Sequence, residues 1–517
     1  MKWFKGNFLR LIKQVAAGVC LIAVVSSAYA IDVSNYLSDA TVTNVYATIT
    51  HNTGLLLERL FINDSSAPAI CDATAGTIDI YSDMAYFENP LREFFVYCKP
   101  IAALKLPGNI AVFVSSNPSS SKMALSPLIE IAKAGSGAAN TASFFLPQRL
   151  VDGACDAPIS GALRNVQPYT FHGHCMSEPG TPDVVLTGSI SDVEAPLIGI
   201  SSSDANSLLY QTPGVAVVWV VAVNKPFYRA LQTSQGLANT DTPATVPSLT
   251  RAQIAAIYSQ QITDPAQIVG ANSAPIRTPG SILGVCRQQF GSGAEAAAEE
   301  QWLGQGCTTS DLVIPAGDNI NVFENQSDSV VGFCLTALDL GGTVNLVSLP
   351  AAGRFAIGIM SSENGPSLFG PDPLSPFSDD VRVIAVDGAL PTLENVANGS
   401  YPFFTEDVLY RIASPGLYHP PASTVWDAVT AYFGHPFSVG LNNQQAFRNY
   451  WGQAGDLAVP TNFSPPVSTT QIPATFTSME TNPLNTLTKS STGIVNNCDP
   501  AVLWGSSTTA TYQFLNQ

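Results

Sequence analysis

The chain has 517 residues, a formal net charge of −17 and only 12% charged side chains. A protein this acidic repels nucleic acid and anionic lipid, so neither is expected as a partner. Its length exceeds what one hydrophobic core usually serves, which predicts at least two lobes.

The first 30 residues predict export. Four basic residues precede the apolar run 15–25, and a small-x-small sequence ends at Ala30. This arrangement is typical of a secretory signal peptide, because the apolar run is shorter than the roughly 20 residues of a membrane span. Cys20 is not in a lipobox, since Val19 stands where a small residue is required. We therefore expect cleavage after Ala30, no membrane insertion afterwards, and a periplasmic or secreted protein.

Predicted strands and helices alternate along the rest of the chain. In chain order they are the strand Thr43–Thr50, the helix Gly54–Ile62, the strand Ile110–Ser115, the helix Lys122–Lys133, the strands Asp183–Leu186 and Val215–Val223, the helix Thr250–Tyr258, the strand Ser281–Val285 and the helix Glu295–Leu303. Such alternation indicates an α/β fold with mixed, mostly parallel sheets. Residues 460–492 are rich in Pro, Thr and Ser, which predicts an extended tail within a long C-terminal extension.

Eight cysteines remain once Cys20 is removed with the signal peptide. An even number in an exported chain favours disulfides over free thiols. Pairing by sequence proximity, which is one of many possible connectivities, gives Cys71–Cys98, Cys155–Cys175, Cys286–Cys307 and Cys334–Cys498. No CxxC pair occurs. The run His172-Gly173-His174-Cys175 resembles a small metal-ligand cluster, but Cys175 is expected in a disulfide and the other histidines lack ligand spacing, so we expect neither a metal site nor a cofactor.

The most informative segment begins at the end of the strand Ser281–Val285. Arg287 follows this strand, and a Gly291-Ser292-Gly293 turn then leads into a helix rich in Ala and Glu. Free N–H groups and the helix dipole at such a helix N-terminus bind anions, and a guanidinium suits tetrahedral oxyanions. The alternative is an ordinary strand–helix connection in which Arg287 pairs with a nearby carboxylate.

Five segments resemble, in the same order, segments of the periplasmic phosphate-binding proteins of ABC transporters. They are Val221–Pro226, Ser248–Thr263, Arg287 with Gly291–Gly293, Phe355–Ser361 and Val386–Pro402. The resemblance implies a two-lobed type II periplasmic-binding-protein fold, a Venus flytrap that closes on its ligand by a hinge. It also implies an outer lobe formed by residues 31–221 and 357–517 and a central lobe formed by residues 222–356.

The resemblance implies ligand-binding residues in both lobes. In the central lobe they are Arg287, Gly291, Ser292 and Gly293, and in the outer lobe they are Ser191, Asp192, Thr50, Thr53, Ser120 and Ser121. Asp192 would accept the proton of a protonated phosphate and so discriminate against sulfate. Three departures weaken the match. Ala294 stands where the family has threonine, Gln289 or Phe290 replaces the family's acidic residue in the same loop, and the segment Ala47–Gly54 lacks the family's small-residue turn.

Two functions remain open at this point. The first is an exported solute-binding protein that captures phosphate or a similar small inorganic oxyanion, with an ABC permease as a candidate partner. The second is a degenerate binding-protein fold that acts as a secreted or surface interaction protein without tight phosphate binding. An enzyme is not expected, because Ser292 lies outside a G-x-S-x-G nucleophile elbow and no metal ligands accompany it.

Overall fold

A computed structural model gives the fold. It describes residues 39–50, 61, 70–72, 78–83, 93–116, 120–135, 146–147, 155–156, 159–160, 170–178, 184–269, 275–277, 282–304, 321–344, 347–349, 354–362, 380–391, 395–396, 400–414, 417, 420–433, 456–457, 459–460, 484–485, 502–504 and 512–514. The predicted signal peptide and most of the predicted tail lie outside these residues. Among the described residues, no helix is long and apolar enough to cross a membrane.

Fourteen strands of the described chain form one sheet. They are β1 (Thr43–Ile49), β2 (Asp79–Ser82), β3 (Glu93–Cys98), β4 (Ile110–Ser116), β5 (Ile159–Ser160), β6 (Thr170–His172), β7 (Gly188–Ser191), β8 (Leu209–Asn224), β9 (Leu283–Gln288), β10 (Val322–Asn325), β11 (Phe355–Ser361), β12 (Val381–Val383), β13 (Phe404–Ile412) and β14 (Asp456–Leu457). Shorter two-stranded pairs join Leu146–Pro147 to Ser177–Glu178, Ser248–Leu249 to Ala385–Val386, Gly342–Val344 to Val347–Leu349, Val459–Pro460 to Leu484–Asn485, and Val502–Trp504 to Tyr512–Phe514.

Helices cover both faces of this sheet. They are α1 (Ser121–Ala134), α2 (Ser202–Leu208), α3 (Lys225–Ser234), α4 (Arg251–Tyr258), α5 (Gly293–Leu303), α6 (Asp328–Leu340) and α7 (Pro420–Phe433). Single 3₁₀ turns occur at Ala102–Leu104, Ala195–Ile198, Pro243–Thr245 and Pro265–Gln267.

The strand order is β10–β9–β11–β8–β13–β7–β1–β4–β3–β2–β6–β5, and β12 and β14 pair with β8. β1 is parallel to both β4 and β7, and β9 is parallel to both β10 and β11. Pairs that involve β8 or β13 are antiparallel. The predicted α/β class with mixed sheets is therefore confirmed, with parallel strands in the middle of each half of the sheet.

β8 and β13 connect two lobes that have separate hydrophobic cores. At the start of β8, Leu209 packs in a cluster with α1, whereas Val217, Val221 and Val223 pack in a cluster with α4 and β9. β13 runs the opposite way, since Phe404 belongs to the second cluster and Val408 to the first. Each of these strands begins in one lobe and ends in the other, so together they form the connection between the lobes.

The hydrophobic clusters indicate where the chain passes from one lobe to the other. Ile357, Ile384 and Val396 pack in the same cluster as Val285 of β9, which lies in the central lobe. Other buried side chains of this stretch, such as Met360 and Val383, belong to the cluster of Cys286 and α6. In this stretch, the cluster that contains α1 begins only within β13, at Val408. We therefore move the proposed second boundary from residue 357 to β13, and we keep the first within β8.

Most predicted elements occur within a few residues of their predicted bounds. In α4, the Thr250 side chain accepts a hydrogen bond from the Gln253 N–H at 3.1 Å, the N-cap that its position predicts. The predicted strand over Asp183–Leu186 is wrong for its described residues, and β7 follows it instead. Small residues form β7 because α1 packs closely over it, and Ser189 Oγ donates to the Ala124 carbonyl at 3.2 Å. The predicted helix Gly54–Ile62 lies outside the described residues except for Phe61.

Three disulfides join described cysteines. The predicted Cys71–Cys98 and Cys155–Cys175 pairs are confirmed. The predicted Cys286–Cys307 and Cys334–Cys498 pairs are wrong, because Cys286 is bonded to Cys334 with their Cα atoms 5.9 Å apart. β9 and α6 pack against each other in space although 48 residues separate the two cysteines, so sequence proximity misleads here. Residues 307 and 498 lie outside the described part of the chain.

Candidate functional site

The predicted turn before α5 is present and well defined. Gly291 has φ +92°, a conformation that side chains disfavour, and Ser292 is the N-cap residue of α5. The Ser292 hydroxyl accepts a hydrogen bond from the Glu295 N–H at 3.1 Å. This bond caps α5, so the hydroxyl already has a structural role. The first turn of α5 still provides backbone N–H groups that have no intrahelical partner.

Arg287 is engaged by acids of its own lobe. Its side chain is 1% exposed, and Nη1 lies 3.1 Å from Glu295 Oε1. Nη2 forms a second ion pair with Glu324. Two carboxylates around one guanidinium leave no net positive charge there. The expectation that Arg287 offers its charge to a ligand is therefore not supported, and the alternative of pairing with a nearby carboxylate describes what is found.

Asp192 of the outer lobe lies against the N-terminus of α5. Its side chain is 6% exposed, and the Ser121 hydroxyl donates a hydrogen bond to it. A Cβ on Gly293 would lie 2.5 Å from the Asp192 carboxylate carbon, so only glycine permits this approach. Burial raises the pKa of Asp192 to about 6, against the lowering effect of the Ser121 hydrogen bond.

The start of α1 adds further contacts between the lobes. The Ser120 hydroxyl and the Lys122 backbone N–H both donate to the Gly291 carbonyl at 2.9 Å. The Ser120 oxygen also accepts from the Met123 N–H at 3.2 Å, so it caps α1 as well. Lys122 Nζ lies 5.1 Å from the centre of the Phe290 ring, which makes a cation–π contact across the lobes.

The other predicted ligand-binding residues make only local or structural contacts, or lie outside the described residues. The Ser191 hydroxyl donates to the Val193 carbonyl at 2.7 Å, which is a local turn contact. Thr50 is buried at the end of β1, where its N–H donates to the Ile190 carbonyl at 3.1 Å. Thr53 lies outside the described residues. The structure therefore brings Ser120, Ser121 and Asp192 to the Gly291–Gly293 turn.

Sequence analysis missed Asp407, a buried carboxyl beside Asp192. Asp407 is 0% exposed, and neither carboxylate oxygen has a hydrogen-bond partner within the described structure. Val408 of β13 pairs with Ser191 of β7, which places Asp407 next to Asp192 in the extended register. Burial, and then the charge of Asp192, raise the pKa of Asp407 well above its ordinary value. Two adjacent acids within the apolar strand Phe404–Ile412 were the available signal.

The surroundings of Asp192 and Asp407 are acidic. Glu194 and Glu406 are 0% exposed nearby in the chain, and Asp328 raises the pKa of Asp192 through its charge. Asp328 itself accepts hydrogen bonds from the backbone N–H and the hydroxyl of Ser361, at 3.1 and 2.6 Å. Among the described residues, no group of three or more His, Cys, Asp or Glu side chains could hold a metal ion.

Comparisons with known proteins give remote structural matches only. No protein-family model and no curated protein matches the chain. A putative phosphate ABC transporter substrate-binding protein with bound phosphate from Clostridium perfringens matches at 12% identity and a TM-score of 0.37, over 80% of this chain and 99% of that one. An ABC-type phosphate transport receptor from Vibrio cholerae matches at 14% identity and a TM-score of 0.28, over 47% and 78%.

PstS from Borrelia burgdorferi matches at 9% identity and a TM-score of 0.32, over 75% of this chain and 92% of that one. With TM-scores below 0.5 and identities below 15%, these matches support no assignment of ligand or residue roles. The chemistry available at the lobe junction follows from this chain's own residues. A helix N-terminus, a serine hydroxyl and a carboxyl that titrates near pH 6 meet there.

Proposed function

We propose that this chain is an exported two-lobed binding protein that captures phosphate or a similar oxyanion between its lobes. One observation carries the proposal: the Asp192 carboxylate of the outer lobe lies against Gly293, the first residue of α5 in the central lobe. A helix N-terminus favours negative charge, and here it attracts an anionic group from the opposite lobe.

An oxyanion that carries a proton can take the place of this direct contact. Its hydroxyl donates to Asp192, and its other oxygens accept from the N–H groups of the first turn of α5 and from the Ser121 hydroxyl. The ligand then lies between the Asp192 carboxylate and the first turn of α5, which are in direct contact in this structure. Because it bonds to both, it holds the lobes closed. Hinge closure of this kind replaces the water shell of the anion by protein donors.

Arg287 has a different role from the one the family resemblance implies. Its ion pairs with Glu295 and Glu324 fix the end of β9 relative to α5, and they hold the Gly291–Gly293 turn in position. Arg287 is thus a positioning residue for the turn. The direct ligand-binding residues of the proposal are Gly293, Ser121 and Asp192.

Thermal unfolding with and without phosphate tests the proposal. A ligand that binds only the native state stabilises it by roughly 2.7 kcal/mol at a hundredfold excess over Kd. Gly293→Ala should abolish this gain, because the added methyl group covers the first turn of α5. Asp427→Asn is the matched control, since Asp427 pairs with Arg411 on the outer lobe at 2.7 Å and lies outside the site. The control should keep the full gain.

A second candidate is an exported interaction protein without tight oxyanion binding. The pairing of Arg287 with two glutamates favours it, because the cation that would attract an anion is already neutralised. The same titration decides between the two functions. If phosphate, arsenate and sulfate all leave the melting temperature unchanged, the interaction protein is the correct proposal.

Export and a transport partner belong to the same proposal. Three disulfides suit an oxidising compartment, and the N-terminal sequence before Ala30 has the pattern of a signal peptide. An ABC permease is the partner expected for a phosphate-binding protein of this design. Mass spectrometry of the exported protein should find residue 31 at its N-terminus.

A further inference from the structure

A cavity of about 180 Å³ lies in the outer lobe, away from the contact between the lobes. Its walls come from β1, the segment before β7, the end of β13 and the start of α7. Thr187 precedes β7 and lines the cavity, whereas Asp192 follows β7 and lies at the interlobe contact. At about 3.3 Å per residue, their Cα atoms are about 16 Å apart. The cavity is therefore a separate place, to which the proposed oxyanion function assigns no role.

One buried polar atom in the cavity wall points to a ligand. Asn44 Oδ1 is shielded from solvent and has no hydrogen-bond partner within the described structure. Buried polar side-chain atoms rarely lack a partner, because each unpaired group costs desolvation free energy. Asn44 and Tyr46 lie two residues apart in β1, so their side chains project from the same face of the strand, and both residues line the cavity. The Asn44 amide thus provides a polar anchor in the wall.

The rest of the wall is mostly apolar. Leu186, Ile412 and Leu417 are buried, and they line the cavity together with Tyr46. The Tyr46 ring stacks on Phe113 with the ring centres 4.9 Å apart, which fixes this side of the wall. An apolar cavity of about 150 Å³ is large enough to bind benzene. The cavity of the outer lobe, which is slightly larger, therefore fits a six-membered ring with one short polar substituent.

The charges beside the cavity are balanced. Arg411 lines the cavity, but its Nε lies 2.7 Å from Asp427 Oδ1 in an ion pair. The same guanidinium lies over the Tyr210 ring, 4.1 Å from the ring centre. A cation that is already paired with a carboxylate adds little attraction for an anion. The electrostatics of the wall therefore favour an uncharged ligand.

We propose that this cavity binds a small uncharged carboxamide with an apolar body about the size of one ring. A carboxamide both donates and accepts hydrogen bonds, so it complements the Asn44 amide in either orientation of that side chain. The apolar body packs against Leu186, Ile412 and Leu417. Amides of small aromatic or branched aliphatic acids form this ligand class, and benzamide is the simplest probe of it.

Calorimetric titration of the mature protein with benzamide tests the site. Nine non-hydrogen atoms support a Kd on the order of 1 mM. Benzoate has the same shape, but it is charged and cannot donate to Asn44, so its Kd should be at least about tenfold higher. Equal binding of benzoate would contradict the uncharged ligand class. Absence of benzamide binding at about 20 mM would overturn the proposal, whatever the outcome with phosphate.

Two variants locate the bound molecule. Asn44→Leu replaces the amide by an apolar group of similar volume, so the fold should be retained while the benzamide Kd rises at least about tenfold. Ala422→Leu extends a side chain of the cavity wall and should abolish binding. The control Asp204→Asn removes an exposed ion pair with Lys133 and should leave the Kd unchanged. Unchanged binding by both cavity variants would show that benzamide binds elsewhere, and the assignment would be wrong.

Hydrogen exchange on the unmodified protein keeps the proposal testable if a variant does not fold. Saturating benzamide should slow amide exchange in peptides from the cavity wall, residues 43–47, 184–188 and 408–414, and leave α5 unchanged. Added phosphate should not alter this protection, because the two sites are separate. Protection confined to α5 and lost with phosphate would mean that benzamide enters the interlobe site instead. The cavity proposal would then be wrong while the oxyanion proposal stands.

Discussion

The carboxylate of Asp192 lies against the α-carbon of Gly293, although the two residues belong to different lobes. The Ser121 hydroxyl holds the carboxylate from one side, and the N-terminus of α5 faces it from the other. This contact between the lobes involves no salt bridge: the dipole of α5 faces the carboxylate, while the Ser121 hydrogen bond orients the carboxylate from within its own lobe. Because the contact requires that residue 293 has no side chain, even the methyl group of alanine should disturb it.

Gly293→Ala should destabilise the protein by roughly 1–3 kcal/mol, because its methyl group would overlap the Asp192 carboxylate and force a local shift. Urea unfolding measures this cost. In an Asp192→Ala background the obstacle is absent, so adding Gly293→Ala should cost much less. A double-mutant cycle in which the two changes are additive would contradict the close contact.

The stability of the ligand-free protein should depend on Asp192 at mildly acidic pH. Burial raises the pKa of Asp192 to about 6 in the native protein, whereas its ordinary value in the unfolded chain is 3.8. The native state therefore binds a proton at Asp192 more tightly than the unfolded state does. This contribution is complete below pH 3.8 and is lost as pH rises through 6. Two pKa units correspond to about 3 kcal/mol.

Urea unfolding at intervals from pH 4 to 8 measures this loss. Burial also raises the pKa of Glu93 to about 7, which adds a change of the same sign. The difference between the unmodified protein and Asp192→Asn isolates Asp192, because Glu93 is common to both. A difference that stays constant over this range would show that Asp192 does not titrate there.

Arg287→Met should destabilise the fold rather than only weaken anion binding. Glu295, whose side chain is 3% exposed, would lose its guanidinium partner, and a buried pair broken on one side costs roughly 3–5 kcal/mol. Glu324 is 28% exposed and can be hydrated, so it adds less. The double variant Arg287→Met with Glu295→Gln should recover part of the loss in urea unfolding. Full stability of Arg287→Met would contradict the structural role.

Local signals in the sequence predict the elements well and the site in part. The Thr250 cap and the Gly291 turn follow from residue type and position alone, because each satisfies a local backbone requirement. The partner of Arg287 does not, because a guanidinium suits an external oxyanion and an internal carboxylate equally. Only the fold places Glu295 and Glu324 around it.

Long-range relationships account for the other differences. Asp407 comes 215 residues after Asp192, and only the pairing of β13 with β7 brings them together. Cys286 and Cys334 meet for the same reason, through the packing of α6 on β9. No local pattern contains this information. The acidic Glu406–Asp407 pair inside an apolar strand is the one feature that could have drawn attention to the site.

The Cys286–Cys334 disulfide can be checked directly. Peptide mapping of the non-reduced protein should recover these two cysteines in one linked fragment. Replacing both by serine should cost roughly 2–5 kcal/mol in unfolding free energy, since the bond closes a long loop. A fragment that links Cys286 to Cys307 instead would restore the pairing expected from sequence proximity and contradict the packing of α6 on β9.

Asp407→Asn should stabilise the protein at alkaline pH. Burial and the charge of Asp192 raise the pKa of Asp407 in the native state, so its contribution to stability is greatest at low pH and is lost as pH rises through that pKa. Asparagine keeps the shape and stays neutral, so the variant avoids the loss. The unfolding free energy of the variant relative to that of the unmodified protein should therefore increase as pH rises, and the two should differ least at low pH.

Thermal melts from pH 5 to 9 measure the difference between Asp407→Asn and the unmodified protein. Asp427→Asn serves as the control, because it removes a 44% exposed carboxylate paired with Arg411. It should lower the melting temperature slightly and by a similar amount at every pH. If Asp407→Asn is less stable than the unmodified protein at pH 9, then Asp407 has an ionised role with a counter-ion.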